Sequence, residues 1–171
     1  MDVDDFWELI DEARDATADP SDVPAVAESL VELLAVREPD EIVAAHDRLT
    51  SLVAQAHVWP LFGAAYLVNA DASDDAFDHF LGWLIGQGKD VFDAAVADPD
   101  SLADVLTAED AENARGDELL GAPADAYEQV TGEDELAGSK AHARPALGSG
   151  FDLDDETEMR KRYPRLADIF L

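Results

Sequence analysis

The chain has 171 residues and no cysteine. That excludes disulfides, thiol nucleophiles and cysteine-ligated zinc or iron–sulfur clusters. Basic residues are scarce: 11 lysines and arginines stand against 40 aspartates and glutamates, for a formal net charge of −29. Such an anion repels nucleic acid and anionic membranes, so neither is expected as a partner. A basic protein or a cation is the complementary choice. No stretch alternates apolar and polar residues as a half-buried strand would. The opening "MDVDDFWELI" puts acid before its apolar run, where a secretory leader needs base, and the expected location is the cytoplasm.

The charge is unevenly spread. Residues 1–135 carry the whole net charge of −29, while residues 136–171 hold six acids and six bases. Aspartate exceeds glutamate and arginine exceeds lysine, a bias that GC-rich coding and adaptation to high salt would each give. Residues 49–70 contain no formal charge, which is enough length to cross a bilayer. Thr50, Gln55, His57 and Asn69 interrupt the run and Pro60 breaks it, so two core helices are expected there.

What is present is helical periodicity. Phe6, Leu9, Ile10 and Ala13 follow the cap candidates Asp4 and Asp5. Asp22 with Pro24, Pro39, and Pro60 in a first turn mark three further helix starts. A fifth helix begins at Ser73 and ends near Gly88, where a left-handed cap is expected. "KDVFDAAVA", "DPDSLADVL" and "DELLGAPADAYEQVTG" read as three more, with Pro123 expected to kink or split the last.

The reading is all-α. A single compact multi-helix domain spans 1–131, a flexible linker 132–150, and a short amphipathic helical tail 151–171. In the tail, Asp154 or Asp155 caps a helix whose last turn holds Arg160, Lys161 and Arg162, matching the helix dipole at both ends. This basic cluster is expected to dock on the acidic body or on a second copy.

Chemistry is concentrated in "SDDAFDHFLGWLIGQG", residues 73–88. Asp75 and His79 stand four apart, as do Asp74 and Asp78, so each pair can meet on a helix. Imidazole with carboxylates can hold a divalent cation. The simpler reading makes Ser73 the N-cap, Asp74 and Asp75 dipole-favoured first-turn acids, and His79 the partner of Asp75. Two helical ligands complete no metal shell. Advancing 100° per residue puts Phe77, Phe80, Leu81, Leu84 and Ile85 toward a core and Asp75, His79, Gly82 and Gly86 on the opposite, outward side, with Trp83 on the flank. Gly82 and Gly86 permit close approach by another helix, either as an internal groove or as a partner site. No phosphate-cradle lysine–serine accompanies the glycines, and no Ser-His-Asp or HExxH pattern occurs. His46 and His57 lie roughly 16 Å apart along one helix, too far to share an ion, and read as lone histidines near the core. His142 falls in the linker.

The stretch Leu61–Leu106 resembles the bacterial family known as domain of unknown function 4240. The resemblance rests on Ser73, Asp74, Asp75, Phe77, Phe80, the "WLI-x-QG" run Trp83–Gly88, and the "DPDSL" run Asp98–Leu102. It extends to the opening "FWELI" and the closing "DDETEMRKRYPRL". Phe62 and Leu81 depart from members that carry tryptophan and arginine there. The resemblance implies a small helical bacterial protein and no particular reaction.

The candidate surface is therefore Asp74, Asp75, Asp78, His79, Gly82, Trp83, Gly86 and Gln87. With no complete catalytic constellation and no cofactor expected, the sequence favours a non-catalytic partner-binding or regulatory protein, in its sharper form an acidic inhibitor or immunity-type protein for a basic partner. The alternative is a metal-dependent enzyme using Asp74, Asp75, Asp78 and His79, with Arg48 or Arg115 contacting an anion.

Overall fold

A computed structural model describes residues 1–110 and 112–171. Among them there is no strand. The helices are α1 (Val3–Asp15), α2 (Val23–Leu34), α3 (Pro39–Ala56), α4 (Trp59–Asn69), α5 (Asp74–Gly86), α6 (Lys89–Ala97), α7 (Asp117–Thr131), α8 (Glu156–Arg162) and α9 (Pro164–Phe170). Short 3₁₀ segments cover Pro99–Asp104 and Ala108–Asp110.

Local chemistry explains where the helices begin. Asp2, not Asp4 or Asp5, caps α1: its carboxylate accepts from the Asp5 N–H at 2.9 Å, and Asp5 accepts in return from the Asp2 N–H at 2.9 Å. Asp22, Ser73 and Asp155 cap α2, α5 and α8 through their side chains. Pro24, Pro39, Pro60 and Pro164 occupy first turns, where a missing N–H costs nothing. Gly88 ends the α5 stretch with φ of 92°, but its ψ of 171° is extended rather than left-handed helical, so it turns the chain into α6.

Two expectations are corrected. "DPDSLADVL" starts with Asp98 as cap and Pro99 in the first turn, but it is a short 3₁₀ segment that ends at Asp104. Pro123 does not split α7, which runs unbroken from Asp117 to Thr131 with Pro123 buried inside it.

The core has α5 at its centre. It contacts α2, α3, α4, α6 and α7, while α2 packs most extensively on α7 and α1 closes against α2 and α3. Phe6, Phe77, Phe80 and Phe92 are among the largest fully buried side chains. A row of aromatic rings links α4 to α5: Trp59 stacks on Phe62 at 4.9 Å, Phe62 meets Phe77 at 5.0 Å, and Phe80 meets Trp83 at 5.5 Å. Edge and offset contacts of this kind add to simple burial.

No single helix among the described residues is long and apolar enough to cross a membrane. Helices α3 and α4 reach that length and apolarity only when taken together, and that pair is bent by 90°.

After α7 the chain crosses back over α3. Residues 140–148 form no helix or strand, yet this stretch and the residues flanking it are pinned. The Ser139 hydroxyl and the Lys140 N–H both donate to Asp47 Oδ1, at 2.7 and 2.8 Å. The His142 N–H donates to Thr50 Oγ1 at 3.1 Å, and His57 Nδ1–H donates to the Pro145 carbonyl at 2.9 Å. We refer to residues 139–150 as the strap. Beyond it, α9 lies against α4 and the Pro99–Asp104 segment. Tyr163 donates to the Pro60 carbonyl at 2.7 Å, and Met159, Tyr163, Leu166 and Ala167 are buried.

Candidate functional site

The α5 surface divides into two parts. At its N-terminal end, Asp74 and Asp75 are exposed first-turn acids. His79 Nε2 lies 3.8 Å from Asp75 Oδ1, and the Asp75 side chain is 86% exposed. Here the helix rises clear of its neighbours, so the carboxylates meet water and the dipole. Asp78 takes a different partner: its Oδ2 forms an ion pair with Arg144 of the strap. The second oxygen, Oδ1, is buried and accepts no hydrogen bond among the described residues.

Further along, the expected outward face is not outward. Gly82 and Gly86 are both buried. A Cβ on Gly82 would stand 2.0 Å from the Gly116 carbonyl oxygen, and one on Gly86 would stand 2.9 Å from Val23 Cγ1 of α2. Both glycines face inward: Gly82 meets the Gly116 backbone, and Gly86 makes room for the Val23 side chain. Trp83 is only 8% exposed and belongs to the core. Angular arithmetic on one helix assumes one buried side, and α5 is covered on nearly every side beyond its second turn.

The C-terminal end of α5 is held by α1. Arg14 Nη1 donates to the Gly86 carbonyl at 2.6 Å and to the Pro20 carbonyl at 3.2 Å. A guanidinium at a helix C-terminus satisfies an orphan carbonyl and complements the dipole. Gln87 is half-buried beside it, with Nε2 buried and without a hydrogen-bond partner among the described residues.

The eight candidate residues therefore do not form one surface. Asp75 meets His79, Asp78 meets the strap, and Gly82, Trp83 and Gly86 are structural. Among the described residues, no three histidine, aspartate or glutamate side chains converge as metal ligands. Arg48 donates to the Met1 carbonyl at 3.2 Å and Arg115 to the Glu112 carbonyl at 3.2 Å, so neither joins Asp75 and His79.

Several polar residues that organise the fold carried no local signal in the sequence. Buried Asn69 donates to the Ala114 carbonyl at 3.0 Å. Asp100, 6% exposed, accepts the N–H groups of Arg165 at 3.0 Å and Leu166 at 3.0 Å, and thereby caps α9. Their partners lie 45 and 65 or more residues away.

Acid also gathers in concave places. A groove of about 480 Å³ between α1 and α3 is lined by Asp5, Glu8, Glu12, Asp40 and Glu41, with Arg37 the one cationic side chain and Met1, Leu9 and Ala44 completing the wall. A second concavity of about 730 Å³, between α2 and α7, is lined by Glu28, Glu32, Asp125 and Glu128.

These features define a small, strongly anionic, all-helical protein built around one enclosed, glycine-faced helix. The chain belongs to the family described as protein of unknown function (DUF4240), whose model matches residues 1–129. The match takes in the whole body through most of α7 and stops before the strap and tail. No curated protein and no solved structure matches the chain.

Proposed function

We propose that this is a non-catalytic partner-binding or regulatory protein of the bacterial cytoplasm, an acidic inhibitor or immunity-type protein that engages a basic protein. The supporting observation is the α1–α3 groove, where five carboxylates face one guanidinium across an apolar wall. A lysine or arginine side chain can lay its aliphatic stem on Leu9 and Ala44 and place its charge among the acids. The surrounding charge of −29 would steer such a partner in from solution and repel anionic competitors.

The test is affinity capture from native lysate at low and high salt with wild type and a variant that has three groove carboxylates neutralised. Glu8→Gln, Glu12→Gln and Asp40→Asn remove groove charge while keeping Asp5 and Glu41, which bond the N-terminal backbones of α1 and α3. A matched variant neutralises Glu28, Glu32 and Glu128 on the other side. A basic protein retained at low salt, released at high salt, and lost only from the groove variant is the expected result. Equal retention by both variants, or no salt-sensitive protein at all, overturns the reading.

A further inference from the structure

Beneath the strap lies a cleft of about 230 Å³ built by three separate elements, of which only the strap lies outside the family match to residues 1–129. Helix α3 supplies His46, Leu49, Thr50 and Val53, which share one face at helical spacing. Helix α7 supplies Leu120, and the strap supplies His142 and Arg144. The lining is apolar in Leu49, Val53 and Leu120 and polar in the other four. A concave apolar surface with a few convergent polar groups is the general form of a small-molecule site.

The polar groups are held in place. Ser139 spends its hydroxyl proton on Asp47 Oδ1 at 2.7 Å, so its oxygen accepts from His46 Nδ1–H at 3.1 Å. This fixes the plane of the His46 ring. Thr50 donates to the Asp47 carbonyl at 3.0 Å and accepts from the His142 N–H, which fixes the strap at the rim. Arg144 engages Asp78 through Nη1. Its other guanidinium donors have no hydrogen-bond partner among the described residues, and a guanidinium carries five in a planar fork. One of the chain's 11 cationic residues is thus presented beside an apolar pocket with donors to spare.

We propose that this cleft binds a small, singly charged carboxylate with a short apolar body. The carboxylate sits on the free donors of Arg144 with the His142 ring beside it, and the apolar body lies on Leu49, Val53 and Leu120. A fork-to-fork contact matches guanidinium to carboxylate. A dianion such as phosphate is disfavoured, because Asp47 and Asp78 flank the site and the whole body is negative. The site is independent of the α1–α3 groove, so either can fail alone.

The probe is isovalerate, titrated into the full-length protein at constant ionic strength and followed by calorimetry and saturation-transfer NMR. The expected result is saturable one-site binding with Kd of roughly 1 mM, as befits a ligand of few atoms. Arg144→Gln should weaken it about tenfold. His142→Ala should weaken it too while keeping the backbone bond to Thr50, which guards against a strap that has simply come loose. A thermal melt of each variant shows that it is folded. Absence of saturable binding to the wild type overturns the proposal. So does undiminished binding by Arg144→Gln, and so does inorganic phosphate binding as tightly as isovalerate.

Discussion

Gly82 and Gly116 touch through their backbones. A Cβ on Gly82 would fall 2.0 Å from the Gly116 carbonyl oxygen, and a Cβ on Gly116 would fall 2.4 Å from the Trp83 nitrogen. The nearest atoms are backbone and cannot move aside as a side chain would, and Leu120 Cγ would stand at 3.0 Å from the Gly82 Cβ. The contact sets the distance between α5 and the start of α7, and so positions Leu119 and Leu120.

Gly82→Ala and Gly116→Ala should therefore each destabilise the protein by about 3 kcal/mol, at the upper end for an overpacked core. Thermal melts would show falls of roughly 6–12 °C for a chain of this size. The double variant should lose less than the sum, because both substitutions break one contact. Gly121→Ala is the contrast: its Cβ would meet only Asp125 Oδ2 at 3.9 Å, inside a helix. That change should be neutral or stabilise by about 0.5–1 kcal/mol. A Gly82→Ala melt that matches wild type would refute the packing assigned to α5.

Asp100 offers a second test. It is buried and caps α9 through two backbone N–H groups, while Arg165 also pairs with exposed Asp104. Asp100→Ala should cost about 1–3 kcal/mol, since two partly buried donors lose their acceptor. The loss should localise: amide exchange would accelerate in residues 163–170 before it does in α5. Arg165→Met leaves those backbone bonds intact and should cost less, and its effect should shrink in salt. Equal exchange rates in wild type and Asp100→Ala would sink the capping role.

Tyr163 makes alkaline pH informative. Burial pushes its phenol up from the ordinary 10.0 to about 12, with Arg162 opposing. The folded state thus keeps a proton that the unfolded chain releases. Above pH 10 the unfolded state binds fewer protons, so stability falls as pH rises, and the decline ends once the folded phenol also ionises near 12. Tyr66, raised chiefly by its hydrogen bond to Asp154, acts in the same direction. Urea denaturation across pH 10–12 should show a shallower decline for Tyr163→Phe than for wild type. At neutral pH that variant should be about 1 kcal/mol less stable, from the lost bond to Pro60. Parallel pH curves for the two proteins would contradict the assignment.

Salt should stabilise the whole chain. A net charge of −29 opposes compaction by self-repulsion, and added ions screen it. Melting temperature should rise with sodium chloride and rise similarly with choline chloride at equal ionic strength. A rise with one cation alone would point to specific binding, and a flat response would show that the carboxylates stand too far apart to matter.

Much of the secondary structure was legible because it is local. Asp22, Ser73, Pro39, Pro60 and the acid-to-base gradient from Asp155 to Arg162 announce helix ends by satisfying orphan backbone groups within a few residues. The Asp75–His79 pair was legible for the same reason. The partners of His46 and His57 were not: both histidines are half-buried near the core, as expected, but they also hold Ser139 and Pro145 of the strap, 93 and 88 residues away.

The amino-acid sequence by itself determined the helical class, most helix starts and the anionic character, all of which follow from neighbouring residues or from composition. Only the tertiary structure decided that α5 is the enclosed centre, that Gly82 and Gly86 face inward, and that the strap closes a cleft over α3 and α7. Those outcomes depend on which surfaces meet across long separations: Gly82 and Gly86 announce a close approach on the second side of α5, but not which element makes it.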